Sequence, residues 1–263
     1  MAQPKQAAKP FLRGGITDGK TLRTALSFFG GLAIMAFLNL VLTATFVSLG
    51  AAWLRVLFCV SELLIYYCIG FYSGQNRGAD AVALGETAWN RVNAGKEVPD
   101  AERRLCWHPL KGLANAVIGS LPFLIPAVIH AILARRQTFS PGVLPNWVSD
   151  MASRPDVLEP LTVYTQTVPA GFADILRVVV RALVMPFVGI AGGENFDAIL
   201  LIDRLSPLFV LLPAFSYAVG YLLGPSIRTR VHIAVSEGEN KRRRKEQRER
   251  RRRQAQRRPN QLN

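Results

Sequence analysis

The sequence predicts an all-α integral membrane protein, and three observations support this fold class. Hydrophobic residues make up 50% of the 263-residue chain and gather in blocks of about twenty, the length that crosses a ~30 Å hydrocarbon core. Charged residues lie between and after these blocks. No barrel-like alternation of apolar and polar residues is present, so the bilayer's demand for closed backbone hydrogen bonding favours helices. We expect about four transmembrane helices, one interfacial amphipathic helix and a disordered polybasic C-terminal tail.

The N-terminal third contains the first two predicted spans. Residues 1–23 are polar and basic and are predicted to form a flexible cytoplasmic arm. The first span covers about residues 24–49, far longer than the roughly 7–15 apolar residues of a cleavable signal. A tight turn connects it to a second span at about residues 54–72. The helical membrane domain is therefore expected to begin at residue 24.

The middle of the chain alternates between polar and apolar segments. Residues 75–111 are predicted to include a short helix on the membrane surface, stopped by Gly95. The third span is expected at about residues 113–134. Residues 135–170 are rich in Pro, Ser, Thr and Asp and predict a long exterior loop.

Residues 174–190 form the segment whose placement is hardest to predict. Asp174, Arg177 and Arg181 share one helical face. Ten apolar residues contribute about −3 to −6 kcal/mol to insertion, whereas two interior arginines cost roughly 5–7 kcal/mol. The net free energy of membrane insertion is therefore close to zero at best, and the segment is predicted to be an exterior interfacial helix.

The last span is predicted at about residues 205–223, with a start as early as Ala198 as an alternative. The membrane domain then covers residues 24–224, and residues 225–263 form a polybasic tail. Basic residues concentrate in the arm, in the 75–111 region and in the tail, so both termini are predicted to be cytoplasmic. The absence of an Asn-x-Ser/Thr sequon favours a bacterial plasma membrane.

Three polar residues inside predicted spans form a candidate intramembrane site: Asn39, Glu62 and His130. Ionisable residues in spans are functional candidates by default. Glu62 is interpreted either as a proton or cation site near His130, or as a neutral group hydrogen-bonded to Asn39 or Ser61. The sequence alone leaves both interpretations open.

Two further patterns lie in or beside the spans. Asp203 and Arg204 are interpreted as the polar flank of the last span, with a buried ion pair as the alternative. Gly70 and Gly74 have the spacing of small-residue helix packing, although a helix that ends there fits the same pattern.

No enzyme or cofactor signature occurs in the chain. Phosphate-binding Gly-rich loops, His-Glu-x-x-His and Gly-x-Ser-x-Gly are all missing, and no Cys or His pair has zinc-site spacing. We therefore expect no catalytic activity, no cofactor and no metal site.

The basic tail is the strongest functional signal in the sequence. Between residues 241 and 258, twelve basic residues stand against two glutamates, a net charge of +10. The twelve are Lys241, Arg242, Arg243, Arg244, Lys245, Arg248, Arg250, Arg251, Arg252, Arg253, Arg257 and Arg258. Charge repulsion is expected to keep this segment disordered until an anion neutralises it.

These features predict a membrane scaffold or accessory subunit rather than an enzyme. The expected partners of the tail are anionic lipid headgroups, a ribosome or other nucleic acid, or an acidic protein. A membrane-protein partner or a homo-oligomer is also expected to be compatible with the bilayer-embedded domain. The alternative function is a transport or channel subunit that uses Glu62 and His130.

Overall fold

A computed structural model of the protein describes residues 9–47, 51–135, 171–192 and 195–257. Every regular element within these ranges is an α-helix, as predicted. The helices are α1 (Thr21–Val47), α2 (Ala52–Asn93), α3 (Asp100–Leu105), α4 (Lys111–Leu133), α5 (Phe172–Ala191), α6 (Phe196–Leu222) and α7 (Gly224–Arg257). The exterior loop predicted at 135–170 lies outside the described residues apart from Arg135.

Four helices, α1, α2, α4 and α6, are long and apolar enough to cross a membrane. They pack as a bundle in which α6 contacts both α2 and α4, while α1 contacts α4. Their apolar faces remain largely uncovered: only 11% of the most apolar window of α2 is buried, and Leu57, Leu64 and Ile69 are exposed. Soluble monomers rarely expose an apolar surface of this extent.

The two ends of the bundle are named here by their connections. At the tail end, α1 and α4 begin and α6 ends, because Lys111 contacts Asp18 and a Cβ atom at Gly112 would contact Tyr221. At the opposite end, called the hairpin end, α1 ends and α2 begins. Helices α1 and α4 therefore run parallel to each other, and α2 and α6 run in the reverse direction.

Helix α2 corrects the prediction of a span followed by a separate surface helix. It is one continuous helix of 42 residues, about 63 Å long at ~1.5 Å per residue. The predicted break near Gly74 does not occur, because this glycine is buried against α6 rather than left in a flexible linker. The helix ends at Asn93, and Gly95 adopts a φ of 73°, so the predicted stop at Gly95 is confirmed.

Glycines allow α2 and α6 to approach closely. A Cβ atom at Gly74 would clash with the carbonyl oxygen of Tyr217, and one at Gly78 would clash with that of Tyr221. Gly70 lies one turn away and faces Ser216. The Gly70–Gly74 spacing therefore marks helix packing and not a helix end.

Helix α5, predicted as an interfacial helix at 174–190, packs against α1, α2, α4 and α6. Its Val180 and Leu183 share a buried cluster with Ala36, Ala127 and Val210. The prediction treated the arginines of this segment as lone charges, whereas the structure pairs Arg181 with a carboxylate on α6. That partner lies elsewhere in the chain, so the local sequence did not reveal it.

The N-terminal arm is packed where the structure describes it, although it was predicted to be flexible. Leu12 N donates to Gly85 O over 3.1 Å, and Gly14 N donates to Trp107 O over 3.0 Å. The ring of Phe11 meets Trp107 edge-on, with centroids 5.9 Å apart. These contacts hold the arm against the tail end of the bundle, because two of its backbone N–H groups and its Phe11 ring all have partners there. Residues 1–8 of the predicted arm lie outside the described residues.

The polybasic tail, predicted to be disordered, is helical from Gly224 to Arg257. Arginine, lysine, glutamate and glutamine are good helix formers, and packing of the first turns on α2 removes the cost of nucleation. An Arg242–Glu246 ion pair of 3.1 Å at i, i+4 adds modest support. Repulsion among the basic side chains is not sufficient to unfold a helix that begins on a packed support.

Candidate functional site

A buried polar cluster connects three helices near the hairpin end. Asp203 of α6 binds Arg181 of α5 through both carboxylate oxygens: Nε to Oδ1 is 3.1 Å and Nη2 to Oδ2 is 2.7 Å. His130 of α4 places Nε2 3.3 Å from Asp203 Oδ1. The hydroxyl of Ser206, one turn along α6, donates to the Asp203 carbonyl over 2.7 Å.

The electrostatics of this cluster follow from its burial. The side chains of Asp203 and His130 are each 3% exposed, and that of Arg181 is 18% exposed. A bidentate ion pair, in which the guanidinium donates to both carboxylate oxygens, is the geometry that best offsets the free-energy cost of desolvating both charges. His130 Nε2 is buried 3.3 Å from Asp203 Oδ1 but has no partner with hydrogen-bond geometry.

The three predicted intramembrane residues each have a different partner. Asn39 is buried and its Nδ2 donates to the Leu183 carbonyl of α5 over 3.0 Å. Glu62 is 5% exposed and accepts a 3.2 Å hydrogen bond from Tyr66 of its own helix. His130 faces Asp203 instead of Glu62. One N–H of Asn39 Nδ2 is thus bonded to α5 and Glu62 is bonded within α2, and a bond between Glu62 and Asn39 stays a prediction.

Ser61, the other hydrogen-bond partner suggested for Glu62, is also bonded elsewhere. Its hydroxyl donates to the Leu57 carbonyl one turn earlier, over 2.8 Å. Serine in a helix readily bonds to the carbonyl four residues before it, which explains this choice.

Sequence reasoning named the central residue of the cluster, and a buried ion pair as one alternative for it, but not its partner. Asp203 was interpreted as the flank of a span that starts at residue 205, but α6 begins at Phe196 and places Asp203 two turns inside the helix. Its partner is Arg181, whereas Arg204 is exposed. The sequence did contain one signal for this pair: Arg181 and Asp203 carry opposite charges, and each interrupts an apolar run, in α5 and in α6 respectively.

A second ionic cluster fixes α7 to α2 beyond the tail end of the bundle. Glu86 of α2 accepts from Arg228 Nε at 3.0 Å and lies 2.7 Å from His232 Nε2. Gly224 packs on Gly78 of α2, so α7 follows α2 in the same direction. The first turns of α7 are therefore fixed to α2 by ionic contacts and by close packing.

An ion pair links the N-terminal arm to the start of α4 at the tail end of the bundle. Burial raises the pKa of Asp18, but the hydrogen bond and the charge of Lys111 at 2.5 Å outweigh this and lower the pKa below its usual value. Lys111 Nζ also donates to the Arg104 carbonyl over 2.8 Å. Burial raises the pKa of the Cys106 thiol, so that thiol is not an activated nucleophile.

The basic part of α7 extends beyond its support. Helix α2 ends at Asn93, and the basic segment begins at Lys241, roughly 26 Å along the helix from Gly224. Ten of the twelve predicted tail residues have described side chains, and all ten are exposed: Lys241, Arg242, Arg243, Arg244, Lys245, Arg248, Arg250, Arg251, Arg252 and Arg253. The remaining two side chains, of Arg257 and Arg258, lie outside the described set.

The described part of the chain contains no group of three His, Cys, Asp or Glu side chains that could hold a metal ion. No protein-family model, curated protein or solved structure matches this chain. The geometry of the chain itself therefore carries the functional argument.

Proposed function

We propose that this protein is a multi-pass membrane scaffold or accessory subunit that presents a basic helix to a nucleic acid, such as a ribosome, at the cytoplasmic face. The observation that carries the proposal is the structure of α7. This helix follows α6 directly, is braced on α2 through Glu86, and exposes ten basic side chains past the end of α2. The positive-inside bias supports placing this end in the cytoplasm of a plasma membrane.

The projection of α7 argues against the lipids of the same membrane as the partner. The apolar part of α6 ends near Leu223, and the basic segment lies roughly 26–44 Å farther along the helix. The attraction of an anionic lipid surface decays within a Debye length, about 8 Å at physiological salt. A helix that stays braced on α2 holds its arginines several such lengths from the headgroups.

The distribution of charge on α7 favours phosphate over an acidic protein. Basic side chains surround the helix from Lys241 to Arg253 and leave no apolar stripe. Stable protein interfaces need a desolvated core with aromatic or aliphatic anchors, and this segment offers none. Arginine presents a planar fork of donors that matches phosphate oxygens, and nucleic acids supply phosphates on many sides of a helix.

A binding experiment in neutral-lipid nanodiscs tests the proposal. The full chain is titrated with a short RNA duplex at several salt concentrations, and the slope of log affinity against log salt is measured. Replacing Arg250 to Arg253 with Gln should lower the magnitude of this slope by about 3, since four phosphate contacts at ~0.7–0.9 each would be lost.

A matched control removes the same charge from another part of the molecule. Lys9, Arg13, Lys20 and Arg23 are exposed on the N-terminal arm and the start of α1, and their replacement by Gln also removes four positive charges. This control should leave the slope nearly unchanged. Equal losses in both variants would show that net charge alone attracts RNA and would contradict a site on α7. Stronger binding to an acidic protein than to RNA would favour the other partner class.

A transport or channel subunit is the second candidate, and the buried Asp203 cluster is the observation that favours it. An ion pair with an adjacent histidine inside a bundle is the type of arrangement found along ion or proton pathways. His130 belongs to this cluster, whereas the other predicted transport residue, Glu62, bonds Tyr66. Proton flux in proteoliposomes should then fall with His130→Gln and persist with Glu62→Gln; flux that is absent from the unmodified protein would exclude this candidate.

A further inference from the structure

A groove between α1 and α2 is the feature of the bundle that the proposed function does not use. The two helices contact each other sparsely, although they are neighbours in sequence. Between them lies a cavity of about 300 Å³ with α6 as its floor at Pro213 and Tyr217. Its rim includes Ile34 and Ile69, which are 64% and 60% exposed, so the groove opens sideways onto the surface expected to face lipid.

The polarity of the groove changes along its length. Near the tail end it is lined by three hydroxyl-bearing residues, Thr24, Ser27 and Ser73, and by Arg77. Toward the hairpin end most of the lining is apolar and reaches Leu38. From Thr24 to Leu38 the groove follows α1 for roughly 21 Å at ~1.5 Å per residue, more than the ~15 Å half-thickness of a hydrocarbon core.

Arg77 supplies the charge that selects the occupant. It is exposed on the part of α2 just beyond its apolar segment. In the described part of the chain, no carboxylate forms an ion pair with it, in contrast to Arg91 and Arg181. An arginine at headgroup depth, above a largely apolar groove of about 300 Å³, is complementary to an anionic headgroup attached to an acyl chain.

We infer that this groove binds one anionic glycerophospholipid of the surrounding bilayer, with its phosphate at Arg77 and one acyl chain along α1. A transmembrane helix of a partner is the other conceivable occupant, but such a helix is about 10 Å across and would require α1 and α2 to separate further. The inference depends on the four apolar helices crossing a membrane. It does not depend on the partner of α7.

Two adjacent glycines provide a matched pair of variants. Gly31 lines the groove and Gly30 does not, and a Cβ atom at either position would meet no other atom within 4 Å. Leucine at either site also improves helix propensity relative to glycine. Gly31→Leu therefore fills the groove without a backbone clash, and Gly30→Leu makes the same chemical change outside it.

The experiment measures phospholipid retained by the full-length protein after detergent extraction and a high-salt wash, which removes lipid held by charge alone, without an acyl chain in the groove. Native mass spectrometry and headgroup analysis report the number and class of lipids per chain. The unmodified protein and Gly30→Leu should retain one anionic phospholipid. Gly31→Leu should reduce its occupancy about tenfold, and Arg77→Gln should reduce the preference for anionic headgroups about tenfold, the loss expected for one charged hydrogen bond.

Arg23→Gln is the charge control, because Arg23 is exposed at the start of α1 and does not line the groove. It should leave the lipid unchanged. Equal retention by all variants would overturn the inference, as would loss of a co-purifying protein instead of a lipid in Gly31→Leu. If Gly31→Leu does not yield a monodisperse protein, the comparison of Arg77→Gln with Arg23→Gln decides, because an unchanged headgroup preference refutes the assigned phosphate position.

Discussion

Replacing Asp203 by Asn should destabilise the bundle more than any exposed charge change on the same helices. The substitution keeps the size of the side chain but removes the negative charge that Arg181 contacts at 2.7 and 3.1 Å. Asp203 is 3% exposed and Arg181 is 18% exposed, so the remaining guanidinium charge would be mostly desolvated. Breaking a buried ion pair costs about 3–5 kcal/mol, and the partial exposure of Arg181 places the expected loss near ~3 kcal/mol.

This loss can be measured as a change in thermal unfolding of the detergent-solubilised protein. A change of ~1 kcal/mol moves Tm by about 2–4 °C for chains of roughly this size, so Asp203→Asn should lower Tm by about 6–12 °C. Combining it with Arg181→Gln should recover part of the loss, because the double variant no longer buries an uncompensated charge.

The control for this prediction is Asp174→Asn. Asp174 also pairs with an arginine of α5, at 3.0 Å from Arg177, but its side chain is 53% exposed. Exposed pairs contribute less than about 1 kcal/mol, so the Tm should fall by no more than about 4 °C. Equal shifts for Asp203→Asn and Asp174→Asn would refute the buried ion pair as a tie between α5 and α6.

Three further predictions test the packing at and beyond the tail end of the bundle. Gly74→Ala introduces a Cβ atom that clashes with a backbone carbonyl of α6 and should cost about 1–3 kcal/mol; Gly30→Ala, which meets open space, should not lower Tm. Glu86→Gln weakens the ionic contacts between α2 and α7, and we expect a loss of ~1 kcal/mol at this partly exposed cluster. Amide hydrogen exchange in the first turns of α7 should then be about fivefold faster. Unchanged exchange would show that apolar packing alone holds α7. Lys111 lowers the pKa of Asp18 below 3.8, so Asp18 stabilises the fold above pH 3.8 and loses this effect as the pH falls through its lowered pKa. Asp18→Asn should therefore abolish this component of acid unfolding. An acid-unfolding profile that the substitution leaves unaltered would contradict the pairing.

The sequence was sufficient to place the four apolar helices because each one is defined by a local property. A span needs about twenty apolar residues in succession, so the predicted bounds of the first and third spans lie within three residues of Thr21–Val47 and Lys111–Leu133. The start of α6 was predicted at 205, with Ala198 as the alternative, and the helix begins at Phe196, which is nine residues before the first of these and two before the second. The charged Asp203 caused this error, because its buried partner is 22 residues away.

The remaining errors have the same origin, which is long-range packing. Gly74 resembles a helix breaker in isolation, but it is the point at which α6 approaches α2. Repulsion in the tail predicts disorder, but Glu86 of α2 anchors the first turns of α7. Of the candidate intramembrane residues, His130 lies in a polar cluster, and its partner was not predicted. Local composition therefore predicted the elements, and contacts between distant residues determined the cluster and the orientation of the tail.

The most direct test of the scaffold proposal is co-purification from native membranes, comparing the full chain with one that ends at Glu237. Bound nucleic acid, lipid and protein are identified at two salt concentrations. The proposal predicts that nucleic acid is recovered with the full chain at low salt, is reduced at high salt and is absent from the shortened chain, while both chains insert equally. Equal recovery of nucleic acid from both chains would contradict the role assigned to α7.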